Sequence, residues 1–246
     1  MITKYYRPST LEEALALVAR ENTVVLGGGT VVTAVRGGSD TEAVDLQSLG
    51  LVDMGVDTGV LRIGSMCRLS DLVASPIVPD ILRDLARREA PNTLRNAATI
   101  GGTIGTADPE SQLLTGLLAF DSSVDISRVG SSTVHTLDAI LGDSSLLNGG
   151  VITAVSFAAT GVATAERTGR TPMDTPIVSV VARRNADGVL AVAIAGVADR
   201  PVIVDPDRIG DLDPPSDFRG SSAYRSALAS ILTQRALVAI PGGGSS

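Results

Sequence analysis

Two stretches of this sequence carry groups that could hold a charged ligand. The first is Leu26-Gly27-Gly28-Gly29-Thr30-Val31, which follows the β-branched run Thr23-Val24-Val25. The second is Thr99-Ile100-Gly101-Gly102-Thr103, with Asp108, Ser111 and Gln112 a few residues on. A phosphate needs several amide N–H donors converging on one spot and no Cβ in the way. Glycines after a strand supply both conditions. A tight strand-to-helix turn would use the same residues at 26–31, so that stretch alone leaves the two readings open. A second glycine pair flanked by threonines favours a ligand held between two loops.

Other phosphate motifs fit less well. A dinucleotide fingerprint could use Gly27 and Gly29, with Asp45 at a distance suited to a ribose, but its third glycine position is Val32. No Gly-Lys-Ser or Gly-Lys-Thr follows the glycines, which excludes a Walker-type loop. The lone His135 and the lone Cys67 cannot build a metal site or an iron–sulfur cluster from this chain. Cys67 reads as core filler and His135 as structural. Arg87 and Arg88 read as a solvated helix face, while Arg95 could meet phosphate or brace its loop.

These loops need a scaffold, and 246 residues that are 44% hydrophobic can supply one. The net charge of −7 argues against a nucleic-acid partner. No apolar run reaches the roughly 18 residues of a membrane span, and residues 1–20 lack a secretory pattern, so a cytoplasmic protein is expected. Ser9 and Thr10 precede Glu12 and Glu13 by three residues, a capping-box spacing that predicts a helix over 10–20. Strands are expected at 23–26, 43–46, 61–66, 124–126 and 151–157, and helices at 69–74, 79–90 and 110–119. The glycines and Pro109 predict that 97–109 stays out of regular helix. Beyond a polar boundary at 161–171, runs at 177–184 and 190–197 flank Asn185-Ala186-Asp187-Gly188 as a hairpin. A third run at 202–204 and a helix over 221–237 complete the expected second unit. The organisation read from this is a ligand-binding domain at 1–160, divided at about 55, a carboxy-terminal α+β domain at 161–240, and a disordered tail at 241–246.

Taken together, the loops resemble the FAD-binding medium subunits of molybdenum hydroxylases, the group of carbon monoxide, xanthine and aldehyde dehydrogenases. The family's Ala-Gly-Gly-Thr loop stands here as Leu26-Gly27-Gly28-Gly29-Thr30, and its Arg-Asn-x-Ala-Thr-Ile-Gly-Gly-Asn as RNAATIGGT at 95–103. LRIGSMCRLSDLVASPIV (61–78), LLNGGVITAVSF (146–157), MDTPIVSVVA (173–182) and the carboxy-terminal segment with RGSSAYR (217–237) match family segments in the same order.

The resemblance implies a two-lobed vanillyl-alcohol-oxidase-like α+β flavin domain followed by a small three-stranded antiparallel sheet with helices. It implies FAD bound at Leu26, Gly27, Gly28, Gly29, Thr30, Val31, Thr99, Ile100, Gly101, Gly102 and Thr103, with polar contacts from Asp108, Ser111 and Gln112 and Ile152 against the flavin. No catalytic side chain and no metal ligand is expected in this chain. The iron–sulfur clusters and molybdopterin would belong to a small and a large partner subunit in a heteromer, with electrons leaving the flavin for NAD or another acceptor. Thr103 stands where the family usually has Asn, and Gln112 where many members have Asp. A flavin-free assembly subunit and a nicotinamide-dependent enzyme are the competing readings.

Overall fold

In a computed structural model the described residues are 2–31, 40–169 and 174–240. Expectations that fall on Val32, on part of the 161–171 boundary, on Met173 and on the 241–246 tail lie outside them. The described chain runs β1 (Ile2–Tyr6), α1 (Leu11–Val18), β2 (Thr23–Leu26), β3 (Thr41–Asp45), β4 (Met54–Asp57), β5 (Val60–Gly64), α2 (Leu69–Ala74), α3 (Asp80–Glu89), α4 (Asn92–Arg95), α5 (Ile100–Thr106) and α6 (Gln112–Ala119). It continues through β6 (Ser123–Arg128), β7 (Ser131–Thr136), α7 (Leu137–Gly142), β8 (Val151–Ala158), β9 (Val162–Arg167), β10 (Ser179–Arg184), β11 (Leu190–Ala195), β12 (Val202–Val204) and α8 (Ser222–Ala239).

The first lobe is a small parallel sheet ordered β1-β3-β2, covered by α1. Its helix begins as the capping spacing predicts. The Thr10 hydroxyl accepts from the Glu13 amide at 3.2 Å, and the Glu13 carboxylate accepts from the Ser9 amide at 3.0 Å. Ala14, Leu15, Leu17 and Val18 then pack on Val44 and Leu46, and the same cluster reaches Met66 and Val151 of the second lobe.

The second lobe is an antiparallel sheet ordered β4-β5-β8-β6-β7. Leu61, Ile63, Val124, Ile126, Val155 and Phe157 pack in one cluster with Leu69, Leu72, Leu82, Leu85, Ile104 and Leu117 from the helices. Cys67 is fully buried in this cluster, and desolvation pushes its thiol up to about 11. The strand expected at 124–126 is longer than predicted and pairs with the polar edge strand β7, whose Ser, Thr and His composition hid it.

The third sheet is antiparallel in the order β12-β11-β10-β9, so it has four strands where three were expected. The extra strand, β9, lies in the polar stretch taken as a boundary; it pairs with β10 from Val162↔Arg184 to Arg167↔Ser179. Alternation along β10 and β11 divides the sheet's two faces. Val180, Ala182, Val192 and Ile194 pack under α8, whereas Val181 and Ala193 join the core of the second lobe. Facing them is α6, whose eight residues are all buried. The sequence boundary near 161 therefore does not separate two independent cores.

The expectation that 97–109 avoids helix is corrected by α5. The Thr99 hydroxyl caps it by accepting from the Gly102 amide at 3.1 Å, and Ala107 ends it in the left-handed region at φ 50°. Gly101 is required by packing, because a Cβ there would stand 2.8 Å from the Ser65 carbonyl oxygen. Tertiary contact here outweighs the poor helix propensity of glycine. The short α4 was also unforeseen. It carries Arg95, whose guanidinium donates to the carbonyls of Arg87 and Ala90 at 2.7 Å each, so Arg95 braces the end of α3. Arg87 pairs with Asp84 on the exposed side of that helix.

Two outcomes follow from this packing. Gly116 lets α6 approach α3: a Cβ there would meet the Leu85 Cδ1 at 2.5 Å and the Leu82 Cδ2 at 2.8 Å. Gly116→Val should destabilise the chain by about 1–3 kcal/mol, seen as a lower urea midpoint with the slope unchanged. Cys67 should resist iodoacetamide at pH 8 in the folded chain and react once denaturant is added, because the thiolate is the reactive form.

Candidate functional site

The first glycine loop leaves the end of β2 and lies directly on the segment that leads into α5. A Cβ on Gly28 would stand 1.8 Å from the Ala97 carbonyl oxygen, and one on Gly27 would stand 2.8 Å from the Thr99 hydroxyl. Gly29 adopts φ 70°, where a side chain is disfavoured. The loop thus has two reasons to be bare: close seating on residues 97–99, and an open inner face. Among the described residues, the amides of Gly27 and Gly28 have no protein acceptor.

That inner face borders a cleft of about 510 Å³ between the first and second lobes. The volume suits a cofactor-sized ligand, for which pockets of roughly 300–1,000 Å³ are usual. Gly27, Gly28, Gly29, Thr30 and Val31 form one wall, with Val18, Val24, Val25 and Leu46 of the first lobe behind them. Thr99, Gly101, Gly102, Thr103, Gly105, Thr106 and Asp108 form the wall opposite. A third side is made by Leu147, Asn148, Gly149, Gly150 and Ile152, and a fourth by Glu89, Ala90 and Leu94.

The two glycine loops face one cleft, but they do not offer the same chemistry. In the second, Ile100 N–H donates to the Cys67 carbonyl at 3.0 Å, Gly101 N–H to the Ser65 carbonyl at 2.9 Å and Thr103 N–H to the Thr99 carbonyl at 2.9 Å. With Gly102 N–H on the Thr99 hydroxyl, all four amides are used by the fold. The Thr103 and Thr106 hydroxyls donate back to the carbonyls of Thr99 and Gly102. This wall therefore gives a ligand small side chains, hydroxyl lone pairs and close approach to Cα atoms. On the first loop, by contrast, the Gly27 and Gly28 donors remain free among the described residues.

Four expected contact residues stand back from the cleft. Leu26 is the buried last residue of β2 and Ile100 is in the core of the second lobe. Ser111 caps α6 by accepting from the Leu114 amide at 3.0 Å, and its hydroxyl donates to the Glu89 carboxylate. Gln112 is buried in the first turn of the same helix. Asp108, by contrast, borders the cleft and accepts from the Glu110 amide at 2.9 Å. Asp45, the acidic residue a dinucleotide fingerprint would need, is 2% exposed. Its oxygens accept from the Tyr5 hydroxyl and, at 2.9 Å, from the Gln47 amide, so it presents nothing to a ribose.

Glu89 and the Asn148-Gly149-Gly150 turn were missed in the sequence. The turn had a signal, two glycines before the strand that carries Ile152, with Gly149 at φ 64°. Glu89 had none, because it reads as the charged end of an amphipathic helix. The fold points it at the start of α6, where it accepts from the Leu113 amide at 2.9 Å. Among the described residues, no group of three His, Cys, Asp or Glu is placed to hold a metal, and no helix is long and apolar enough to cross a membrane.

Comparison with known proteins agrees with this architecture. The described fold is similar to a carbon monoxide dehydrogenase chain from Hydrogenophaga pseudoflava, with a TM-score of 0.90 over 100% of this chain and 99% of that one at 20% identity. It is also similar to a chain of quinoline 2-oxidoreductase from Pseudomonas putida 86, with a TM-score of 0.84 over 96% and 95% of the two chains at 20% identity. In sequence it is 26% identical to the glyceraldehyde dehydrogenase medium chain of Sulfolobus acidocaldarius, covering 94% of this chain and 96% of the relative. Residues 1–157, which hold both glycine loops and the Ile152 strand, match the family described as the FAD binding domain in molybdopterin dehydrogenase. The chain belongs to that family of flavin-binding oxidoreductase components.

Proposed function

We propose that this chain is the electron-transfer medium subunit of a heteromeric molybdenum hydroxylase. It holds FAD in the cleft between its lobes, receives electrons from iron–sulfur clusters on a small partner subunit and passes them to NAD or another acceptor. The observation that carries the reading is one cleft lined by both glycine loops and Ile152, with the Gly27 and Gly28 amides unpaired among the described residues. The near full-length match to a relative named a medium chain supports the subunit role. A nicotine 6-hydroxylase medium subunit from Paenarthrobacter nicotinovorans, 27% identical over 56% of this chain, supports it further. With one cysteine, buried in the core, this chain cannot supply the thiolates of a cluster, so the clusters and the molybdopterin belong to partners.

FAD would supply exchange between two-electron and one-electron steps, and the chain's residues would bind and orient it. Gly27 and Gly28 would direct their amides at the diphosphate, with Gly29, Thr30 and Val31 continuing that wall. Thr99, Gly101, Gly102 and Thr103 would let the cofactor lie close to the opposite backbone, and Ile152 would pack on the ring. Leu26, Ile100, Ser111 and Gln112 would act from behind, by fixing the strand end, α5 and α6. No side chain is required as a general acid or base.

Among the described residues, the cleft is lined by two carboxyl groups, Glu89 and Asp108, and by no lysine or arginine. Desolvation, with a smaller contribution from nearby Asp108, holds the Glu89 carboxyl above its ordinary value of 4.5 despite hydrogen bonds from Ser111 and Leu113. The folded chain therefore binds this proton more tightly than the unfolded chain. The resulting stability is fully present below pH 4.5 and is lost as pH rises through the raised value.

Three measurements follow. The purified chain should carry, or take up, about one FAD per molecule, seen as blue and near-ultraviolet absorbance and as FAD after acid extraction. A preparation that stays colourless with added FAD sinks the reading. Gly28→Ala should weaken FAD binding roughly tenfold or more, a loss of about 1.4 kcal/mol, because the loop must lift off Ala97. Gly55→Ala, whose Cβ meets nothing within 4 Å, should bind as the parent does. In thermal melts above pH 4.5, Glu89→Gln should flatten the parent's decline of Tm with rising pH, since the amide keeps an acceptor and cannot ionise.

A further inference from the structure

The helix α8 is apolar on two faces. Its inner face packs Ala229, Leu232 and Ala236 on the carboxy-terminal sheet. Its outer face carries Tyr224, Ile231 and Val238 at 48%, 48% and 79% exposure. Successive members of this row are seven residues apart, two helical turns, so they form one line along the helix. A helix that shows one face to water ordinarily carries charge there. Of the 18 residues of α8 only Arg225 and Arg235 are charged, and Arg225 is buried. The turn before the helix adds Phe218, which is 98% exposed. That turn is firmly held. The Asp217 carboxylate accepts from the amides of Arg219 and Gly220 at 2.8 and 3.0 Å and from the Arg225 guanidinium at 2.7 Å, while Arg219 donates to the carbonyls of Thr175 and Pro176 at 2.7 and 3.0 Å. An aromatic side chain on an already rigid turn costs little further ordering when a partner covers it.

This surface complements itself when reversed. The exposed Ile231 lies one turn from the small exposed Ala227, and Val238 stands near one end of α8 with the aromatic Phe218 and Tyr224 near the other. Charge follows the same order. Arg235 is exposed, outside the ion pairs of the described residues, and near the carboxy end; the exposed Asp213 lies beside the first turn, 3.5 Å from the Ser222 hydroxyl. An antiparallel copy of the helix brings each feature to its complement, which is the condition for a two-fold interface. We propose that α8 and the turn before it form the contact surface of a homodimer, in which Ile231 of each copy packs on Ala227 of the other, Val238 meets the Phe218 turn and Arg235 meets Asp213. One helix face and its turn are smaller than the roughly 800 Å² per partner of stable complexes, so the dimer is a weak one. None of these residues lines the cleft, and the dimer does not depend on FAD.

The test is sedimentation equilibrium of the full chain, in which the parent should pass from monomer to dimer between about 5 and 500 μM. Ile231→Glu, which sets a carboxylate against an apolar contact in both copies, should weaken dimerisation roughly tenfold or more. Arg235→Glu and Asp213→Arg should each weaken it roughly fivefold, and the two together should restore it, because the charges have changed places. Val134→Glu, on the exposed edge strand β7, should leave it unchanged. A parent that stays monomeric throughout, or an Ile231→Glu chain that dimerises as the parent does and keeps a native circular dichroism spectrum, overturns the proposal. So does a dimer that Ile231→Glu abolishes but the charge exchange fails to restore, since the helices would then not be antiparallel. Flavin content is measured on the same samples, so loss of the dimer and loss of the flavin reading are separate results.

Discussion

The seating of Gly28 on the Ala97 carbonyl is the constraint from which the rest of the site follows. It fixes the distance between the first lobe and the segment that starts α5, and so fixes the width of the cleft. A backbone brought this near another has no room for side chains, which accounts for the bare sequence on both sides of the contact. The hydrophobic cluster that joins α1 and Val44 to Met66 and Val151 holds the lobes in this relation from behind. The contact leaves the Gly27 and Gly28 amides without an acceptor among the described residues, and that combination of rigidity and unmet hydrogen bonding is what a ligand can exploit.

The second loop meets the opposite fate. Its amides are absorbed in closing α5 against Ser65 and Cys67, so the fold spends on its own cohesion what the sequence pattern seemed to offer to a ligand. Similar glycine–threonine patterns can therefore mean different things. Among the described residues, one keeps the Gly27 and Gly28 donors free, and the other uses those of Ile100 to Thr103 to close a helix. The carboxyl of Glu89 takes part in the same local order, because it receives an α6 amide and the Ser111 hydroxyl at the edge of the cleft.

Much of this was legible in the sequence where local chemistry decides the outcome. The Thr10 cap, the β2 strand, the α2 helix and the hairpin at Asn185 to Gly188 are set by side chains within a few positions of one another. The pairing of two glycine loops was legible too, because the second glycine pair, flanked by threonines, favours a ligand held between two loops where the first stretch alone leaves its reading open. Long-range contact hid the rest. Nothing near Gly101 says that Ser65 will force it into a helix, and nothing in the polar run of β9 says that β10 will recruit it as a fourth strand. Glu89 was invisible for the same reason, since its partners lie 22 and 24 residues away.

The helix α6 has a wider meaning for how the molecule is divided. It is buried on every side, with one flank covered by Val181 and Ala193 of the carboxy-terminal sheet. The flavin-domain match ends at residue 157, before either of those side chains is made. The evolutionary module and the physical folding unit are thus not the same object. A fragment cut at the end of the homologous stretch would expose an apolar helix to water, and the ligand-binding half of this molecule depends on its other half for solubility as much as for shape.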